Sequence, residues 1–303
     1  LTTKDGRHTS VIHGFLNMLF KIIRDEKPDY LVIAMDSKAK TFRHDLYNEY
    51  KAHRPKMPEE ISYQIPILKE IINHLGVELI ERPGYEADDI MGSLSKIAES
   101  HDVESYIVSG DKDMLQMVND NIIVYAPGNR FKPTTKFKRD EVKTKMGVYP
   151  ERIIDLLSLI GDASDNIPGV KGVGPKTAIK LIEQFGSLKH LIDNIDEVKN
   201  ERIKNLITNS IDMLNLSKQL VTIKDDMDIP FSKQGFEFKS IKNESEVIKM
   251  VNEFELNSIV SSLEKLDFNS SVKKPKIIKK KKYNLLLTDN DINKAIKKIL
   301  KSS

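Results

Sequence analysis

Acidic side chains occur in four groups along the chain, each where a helix or strand is expected to begin or end. The eight acids are Asp36; Glu86, Asp88 and Asp89; Asp111 and Asp113; and Asp162 and Asp165. In the second and fourth groups, acids three residues apart share one face of a helix, so at least two carboxylates point the same way. Strand ends in a parallel sheet meet at one edge, so the groups are expected to converge there.

Converging carboxylates constrain the chemistry of such a site. At about 4 Å, two of them repel by about 1 kcal/mol in water and by about 4 kcal/mol at an effective dielectric of 20. The cluster therefore requires cations, and oxygen ligands favour the hard ions Mg²⁺ and Mn²⁺. Two such ions suit phosphodiester hydrolysis, because they activate water and stabilise the charged transition state.

Helix capping is the alternative explanation for these acids. A carboxylate at a helix N-terminus stabilises the helix by about 0.3–1 kcal/mol, and Asp is an ordinary residue in loops. Capping could explain any one group. It is a weaker explanation for four groups that all fit one sheet edge.

The elements that must position these acids alternate between helix and strand. Apolar residues at helical spacing predict helices at 11–23, 61–75 and 86–100. Short apolar runs predict strands at 30–36, 77–80 and 105–111, and a strand followed by a turn at 122–129. This order predicts an α/β fold with a mostly parallel central sheet flanked by helices. Helices predominate further on, at 139–146, 150–160, 175–185, 196–208 and 245–256.

Composition excludes several classes of protein. The chain has 303 residues, 39% of them hydrophobic, which is enough for a substantial core. It has no cysteine, so disulfides and thiolate metal sites are impossible. No apolar run approaches the roughly 18 residues that span a bilayer. We expect a cytoplasmic protein that does not bind membranes.

The glycine-rich stretch GDASDNIPGVKGVGPKTA (161–178) is compatible with three interpretations. A nucleotide-binding phosphate loop is disfavoured, because Pro175 separates Gly174 from Lys176 and a helix precedes the stretch. A plain helix-to-helix turn remains possible. The third interpretation is a helix, glycine turn and helix whose backbone N–H groups bind a DNA phosphate.

The motifs YEADD, SGDKD, GDASDNIPGVKGVGPKTA and FRHDLYNEYKAHR together resemble the 5′ nuclease (flap endonuclease-like) family. The resemblance covers about residues 1–265 and is strongest to the N-terminal 5′-3′ exonuclease domain of bacterial DNA polymerase I. It implies a PIN-like 5′ nuclease fold followed by a helical helix-hairpin-helix region that binds duplex DNA. The implied activity is cleavage at DNA 5′ ends or flaps, including RNA primers, with two Mg²⁺ or Mn²⁺ ions.

The resemblance also assigns residue roles. It implies that all eight acids are metal ligands, and that Asp36, Lys51 and Asp111 are catalytic. The glycine turn becomes the DNA-binding hairpin, often with bound K⁺ in this family. The segment AKTFRHDLYNEYKAHRPKMP (39–58) becomes a flexible arch for the single-stranded 5′ end, where tyrosines could stack on bases. The implied DNA-binding residues are Arg43, Lys51, Arg54, Gly169, Gly172, Gly174, Lys176 and Thr177.

Four segments are expected: a catalytic domain at 1–140, a helical DNA-binding region at 141–268, a basic linker at 269–282, and the start of a proofreading-exonuclease-like domain at 283–303. The resemblance further implies a bacterial protein associated with the nucleoid, a monomer with a linked polymerase domain. The family usually opens with a further strand ending in a metal-binding aspartate, which is missing here, so a weak or inactive DNA-binding fragment is one alternative. A nucleotide hydrolase is the other, and Pro175 disfavours it.

Overall fold

The computed structural model describes residues 1–128 and 132–266. Residues Leu1–Leu266 form one compact unit. The predicted linker at 269–282 and the predicted start of a following domain at 283–303 lie outside the described residues.

Five strands are present in the described residues, in two sheets. They are β1 (Val32–Ala34), β2 (Glu78–Ile80), β3 (Ser105–Val108), β4 (Ile122–Ala126) and β5 (Thr135–Phe137). One sheet pairs β1 with β2 in parallel. The other has the order β3-β4-β5, parallel between β3 and β4 and antiparallel between β4 and β5. Pairing is therefore mostly parallel, as expected, but in the described residues no hydrogen bonds join the two sheets.

Helices surround both sheets. They are α1 (Ser10–Glu26), α2 (Phe42–Leu46), α3 (Glu59–Ser62), α4 (Gln64–Leu75), α5 (Ala87–Ser100), α6 (Arg139–Met146), α7 (Ile153–Ile160), α8 (Pro175–Phe185), α9 (Leu188–Asp193), α10 (Glu201–Thr208), α11 (Ile211–Val221), α12 (Lys233–Phe236), α13 (Glu244–Glu253) and α14 (Asn257–Leu263). Helix α5 contacts both β1 and β3, so it links the two sheets. Helix α6 runs across the predicted domain boundary at 140 and 141.

Local sequence explains several helix boundaries. Helix α4 ends at Gly76, whose φ of 77° is left-handed and costs glycine little. Helix α8 starts with Pro175, which needs no N–H partner in the first turn. Gln64 caps α1 from a distance, because its Oε1 accepts the N–H groups of Val11 and Ile12 at 3.0 and 3.3 Å.

The main core lies between the β3-β4-β5 sheet and the helices that follow it. Ile122 and Val124 of β4 are buried there with Leu157 of α7, Ala178 of α8 and Leu214 of α11. A smaller core packs the β1-β2 sheet and α5 against residues 227–236. Among the described residues, no helix is long and apolar enough to cross a bilayer.

Candidate metal and nucleic-acid site

The N-terminus of α5 carries the first part of the site. Glu86 is the N-cap residue of this helix and is buried. Asp36 follows β1 by two residues and reaches the same helix end, where its Oδ1 accepts the N–H of Ala87 at 2.7 Å. Strand β1 thus places Asp36 near Glu86 and Asp88, as expected from the shared edge of a parallel sheet.

The second part of the site follows β3. Asp111 Oδ1 accepts the backbone N–H of Asp113 at 2.9 Å, and Asp113 starts a 3₁₀ turn (Asp113–Met117). Asp111 is exposed, whereas the Asp113 side chain is only 14% exposed. Asp113 Oδ1 is buried without a hydrogen-bond partner, because the nearest cation, Lys112 Nζ, is 3.6 Å away.

The third part of the site is the turn 162–165, which joins α7 to the glycine-rich stretch. Its base is closed by two hydrogen bonds between the main chains of Asp162 and Ile167, at 2.7 and 2.9 Å. Asp162 forms an ion pair with Lys112 and accepts the Ser164 hydroxyl at 2.6 Å. Burial alone would raise the pKa of Asp162, but the hydrogen bonds from Lys112 and Ser164 outweigh it and lower that pKa.

Residues 47–54 pack onto this turn. The hydroxyl of Tyr50 donates toward Glu86 at 3.2 Å and Asp165 at 3.3 Å, and Lys51 Nζ lies 2.7 Å from Glu86 and 3.6 Å from Asp165. Arg54 also pairs with Asp165, and half of its side chain remains exposed. Lys51 has a left-handed φ of 56°, an uncommon conformation for a non-glycine residue that is often found at functional sites.

These contacts join seven acids from four segments into one network, the acidic cluster. Its members are Asp36, Glu86, Asp88, Asp111, Asp113, Asp162 and Asp165. Burial, followed by the charges of Asp111, Glu86 and Asp36, raises the pKa of Asp88 to about 7. Burial and the charge of Asp111 raise the pKa of Asp113 to about 7 as well. The network is therefore short of positive charge.

The donors of the acidic cluster suit a hard divalent ion, since all of them are carboxylate oxygens and one, Asp113 Oδ1, is buried and unpaired. The orientation of these carboxylates, in contrast, does not suit a single ion. Over residues 1–128 and 132–266, no three His, Asp or Glu side chains are arranged to hold a single ion. Lys51, Arg54 and Lys112 instead engage Glu86, Asp162 and Asp165 by ion pairs.

The geometry corrects the predicted roles of Asp89 and Arg43. Asp89 is fully buried, and its carboxylate accepts four hydrogen bonds, two from Arg43 at 2.8 Å and one each from the backbones of Glu86 and Lys224. Its oxygens are thus already used, which argues against metal ligation. Arg43 is 3% exposed and also donates to the carbonyls of Leu220 and Thr222, so it cannot reach a substrate phosphate.

The glycine turn contains residues of two kinds. Gly172, Gly174 and Lys176 are exposed at the start of α8, and Thr177 is half-buried beside them, so all four lie where a phosphate could approach. Gly169 is buried, and its N–H donates to Ser217 at 3.2 Å. Its expected role in DNA binding is therefore corrected. Gly169 packs against Gly161, at a place where a Cβ atom would overlap the Gly161 backbone nitrogen.

Sequence reasoning missed the roles of Lys112 and Tyr50. Lys112 stands between Asp111 and Asp113 in SGDKD, and this position was a signal that it would be near the acids. Tyr50 was expected to stack on bases, but it is 3% exposed, so that expectation is corrected. Burial and the neighbouring Glu86 and Asp165 raise its pKa, which keeps the hydroxyl protonated as a donor.

Comparison with known proteins identifies the family to which this fold belongs. A family model for the N-terminal resolvase-like domain of 5′-3′ exonucleases matches residues 1–147, and one for their C-terminal SAM fold matches residues 148–244. A 5′-3′ exonuclease of Aquifex aeolicus is 38% identical over 268 residues, which are 88% of this chain and 89% of the relative. DNA polymerase I of Bacillus subtilis is 39% identical over 263 residues, 87% of this chain but 30% of the relative.

Among solved structures, a bacteriophage T5 flap endonuclease in a complex with DNA and metal ions superposes with a TM-score of 0.59 at 16% identity, over 84% of this chain and 88% of that one. The fold is therefore the PIN-like α/β fold of flap nucleases followed by a helical SAM-like region. The chain belongs to the 5′-3′ exonuclease family. It spans about 30% of the length of its DNA polymerase I relatives.

Proposed function

We propose that the chain is a structure-specific 5′-3′ exonuclease and flap endonuclease. It hydrolyses phosphodiester bonds at DNA 5′ ends and flaps, and removes RNA primers annealed to DNA. The proposed cofactors are two Mg²⁺ or Mn²⁺ ions at the acidic cluster, whose chemistry when bound is to polarise the phosphate and activate water. Membership of the 5′-3′ exonuclease family supports the reaction class.

One observation carries the metal proposal: seven carboxylates from four segments form a single network, and the pKa values of Asp88 and Asp113 rise to about 7. Capping alone would spread these acids over separate helix ends. A network so deficient in positive charge binds cations. The T5 flap endonuclease, whose structure contains metal ions, supports the same assignment.

The chain's own groups have separate proposed tasks. Asp36 and Asp111 are the exposed members of the acidic cluster, so they are the acids nearest an incoming phosphodiester and are proposed as catalytic. Lys51, which pairs with Glu86, and Arg54, which pairs with Asp165, are proposed to contact substrate phosphates. Because Arg54 is 52% exposed, its guanidinium has room to turn toward DNA. Tyr50 keeps Glu86 and Asp165 in place from the buried side.

Duplex DNA is proposed to bind at the start of α8. Gly172, Gly174, Lys176 and Thr177 are accessible there, and the positive end of the helix favours a phosphate. A K⁺ ion at this turn is part of the proposal. The proposal also includes a monomeric state, a domain boundary near 140, linked proofreading-like and polymerase domains, and association with the nucleoid. The DNA polymerase I relatives support the linked domains.

The test is cleavage of a duplex with a labelled 5′ flap, in Mg²⁺ and in EDTA. Asp111→Asn is expected to abolish Mg²⁺-dependent release of the flap while duplex binding persists. Asp212→Asn is the matched control, since it removes an exposed acid of α11 outside the acidic cluster. Wild-type turnover by Asp111→Asn would refute the assignment. DNA binding without cleavage by the unaltered chain would favour the alternative, an inactive DNA-binding fragment.

A further inference from the structure

Two lysines occupy equivalent positions in the acidic cluster. Lys51 Nζ lies 2.7 Å from Glu86 and 3.6 Å from Asp165. Lys112 Nζ pairs with Asp162 and lies 3.6 Å from Asp113. Each ammonium thus spans two carboxylates, one on the turn 162–165 and one on an element of the α/β part. Lysine residues 61 positions apart in the sequence hold the same turn from its two ends.

A divalent ion at the acidic cluster needs the oxygens that these ammonium groups occupy. An ammonium brings one charge and three donor hydrogens, whereas Mg²⁺ or Mn²⁺ brings two charges and accepts about six oxygens. An ammonium group and a divalent ion therefore cannot both bind the same carboxylate oxygens at full strength. The ion pairs are therefore in competition with the metal, and Asp113 Oδ1, 3.6 Å from Lys112 Nζ, has no hydrogen-bond partner.

The side chain of Lys112 has space to move away from the acidic cluster. Its side chain is 36% exposed, whereas that of its partner Asp162 is 9% exposed, so the ammonium can turn outward while the carboxylate stays. Its flexible four-carbon stem allows this movement without a change in the backbone. Lys112 directly follows the exposed Asp111 in the chain, where a substrate phosphate is expected.

We propose that Lys112 is an exchangeable internal counter-ion: it holds the turn 162–165 against the 3₁₀ turn (Asp113–Met117), yields Asp162 and Asp113 to a divalent ion, and then becomes a phosphate contact. Lys51 acts in the same way at Glu86 and Asp165. This inference rests on the proposed metal-dependent function. It makes Lys112 a positioning residue, and it couples metal binding to DNA binding, since each favours the same outward position of the ammonium.

The test uses the full chain and Mn²⁺ alone, measured by titration calorimetry without DNA. Lys112→Met is expected to bind Mn²⁺ about three- to tenfold more tightly, because the ion no longer displaces an ammonium. Its melting temperature is expected to fall in EDTA and to match the wild-type value in saturating Mn²⁺. Lys112→Arg keeps the charge and is expected to bind Mn²⁺ no more tightly than the wild type.

Lys249→Met is the matched control, since it also removes a lysine from an ion pair, with Glu246, but on α13 outside the acidic cluster. Equal Mn²⁺ affinity of wild type and Lys112→Met would overturn the counter-ion proposal and leave the metal site standing. An equal loss of melting temperature with and without Mn²⁺ would also overturn it, because that is the result of a purely structural lysine. Failure of the wild type to bind any Mn²⁺ would overturn the proposed metal-dependent function itself.

Discussion

The guanidinium of Arg43 forms two hydrogen bonds of 2.8 Å with the carboxylate of Asp89, and the side chains are 3% and 0% exposed. This pair joins α2 to the N-terminus of α5. Arg43 also donates to the carbonyls of Leu220 and Thr222 at the end of α11. The acids at the start of α5 are therefore fixed to the helical region by a buried ion pair.

Replacing one member of this pair should destabilise the fold. Arg43→Met leaves Asp89 buried without its cation, which typically costs about 3–5 kcal/mol in the free energy of unfolding. Urea denaturation measures the loss. The double variant Arg43→Met, Asp89→Leu should recover part of it, because no uncompensated charge remains. A stable Arg43→Met protein that binds DNA more weakly would instead restore Arg43 as a phosphate contact.

The glycine turn predicts opposite results for two alanine substitutions. At Gly169 the backbone φ is 57° and a Cβ atom would overlap Gly161, so Gly169→Ala should cost about 2 kcal/mol or more of unfolding free energy. At Gly174 no heavy atom lies within 4 Å of the added Cβ. Gly174→Ala should therefore fold normally and bind duplex DNA more weakly. Thermal unfolding and DNA binding of the two variants, measured side by side, distinguish a loss of packing from a loss of phosphate contact. Normal DNA affinity in Gly174→Ala would contradict the proposed contact.

Arg54 should contribute to DNA affinity through charge. Arg54→Gln removes one proposed phosphate contact, so the slope of log affinity against log salt should become shallower by about 0.9. Arg24→Gln is the matched control, because Arg24 is similarly exposed and pairs with an acid, Asp25. An unchanged slope in Arg54→Gln would show that Arg54 only neutralises Asp165.

The acidic cluster should also set a pH dependence in the absence of divalent ions. The folded pKa values of Asp88 and Asp113 are raised to about 7 from the ordinary value of 3.8. A raised carboxyl pKa contributes stability that is fully present below pH 4 and is lost as the pH rises through 7. In EDTA, the stability of the wild type relative to Asp88→Asn, Asp113→Asn should therefore fall from about pH 4 to about pH 7 and level off above that.

Saturating Mn²⁺ is expected to reverse that trend, since ionised carboxylates bind the metal and protonated ones do not. Melting temperatures of the two proteins at about pH 5, 6 and 7, with EDTA or Mn²⁺, provide the measurement. A wild-type advantage that stays constant with pH in EDTA would mean that the two acids do not have raised pKa values.

Much of the fold was predictable because its signals are local. Apolar periodicity predicted α1, α5 and α8, and short apolar runs predicted strands β1 to β4. Helix α11 was missed, because LNLSKQLV mixes polar and apolar residues and its buried face is defined by α7, a partner distant in sequence. The break between α3 and α4 at Tyr63 was also missed, although Pro66 in the first turn of α4 marks it, because proline has no N–H to donate to the carbonyl of Ser62.

The acids of the site could be recognised from their positions at element ends, and seven of the eight lie in one network. Their partners could not. A basic residue near an acidic motif can bind phosphate or neutralise a carboxylate, and sequence does not distinguish the two. Arg43 and Arg54 belong to the same segment, yet one is buried on Asp89 and the other is half exposed beside Asp165. Only the packing of α2 against α11 separates their roles.

Anomalous diffraction from crystals soaked in Mn²⁺ would show directly whether the acidic cluster holds divalent ions. We predict one or two peaks at about 2.0–2.6 Å from carboxylate oxygens of Asp36, Glu86, Asp88, Asp111, Asp113, Asp162 or Asp165, with none at Asp89. Mn²⁺ found only at other surface acids, with the acidic cluster still engaged by Lys51 and Lys112, would contradict it.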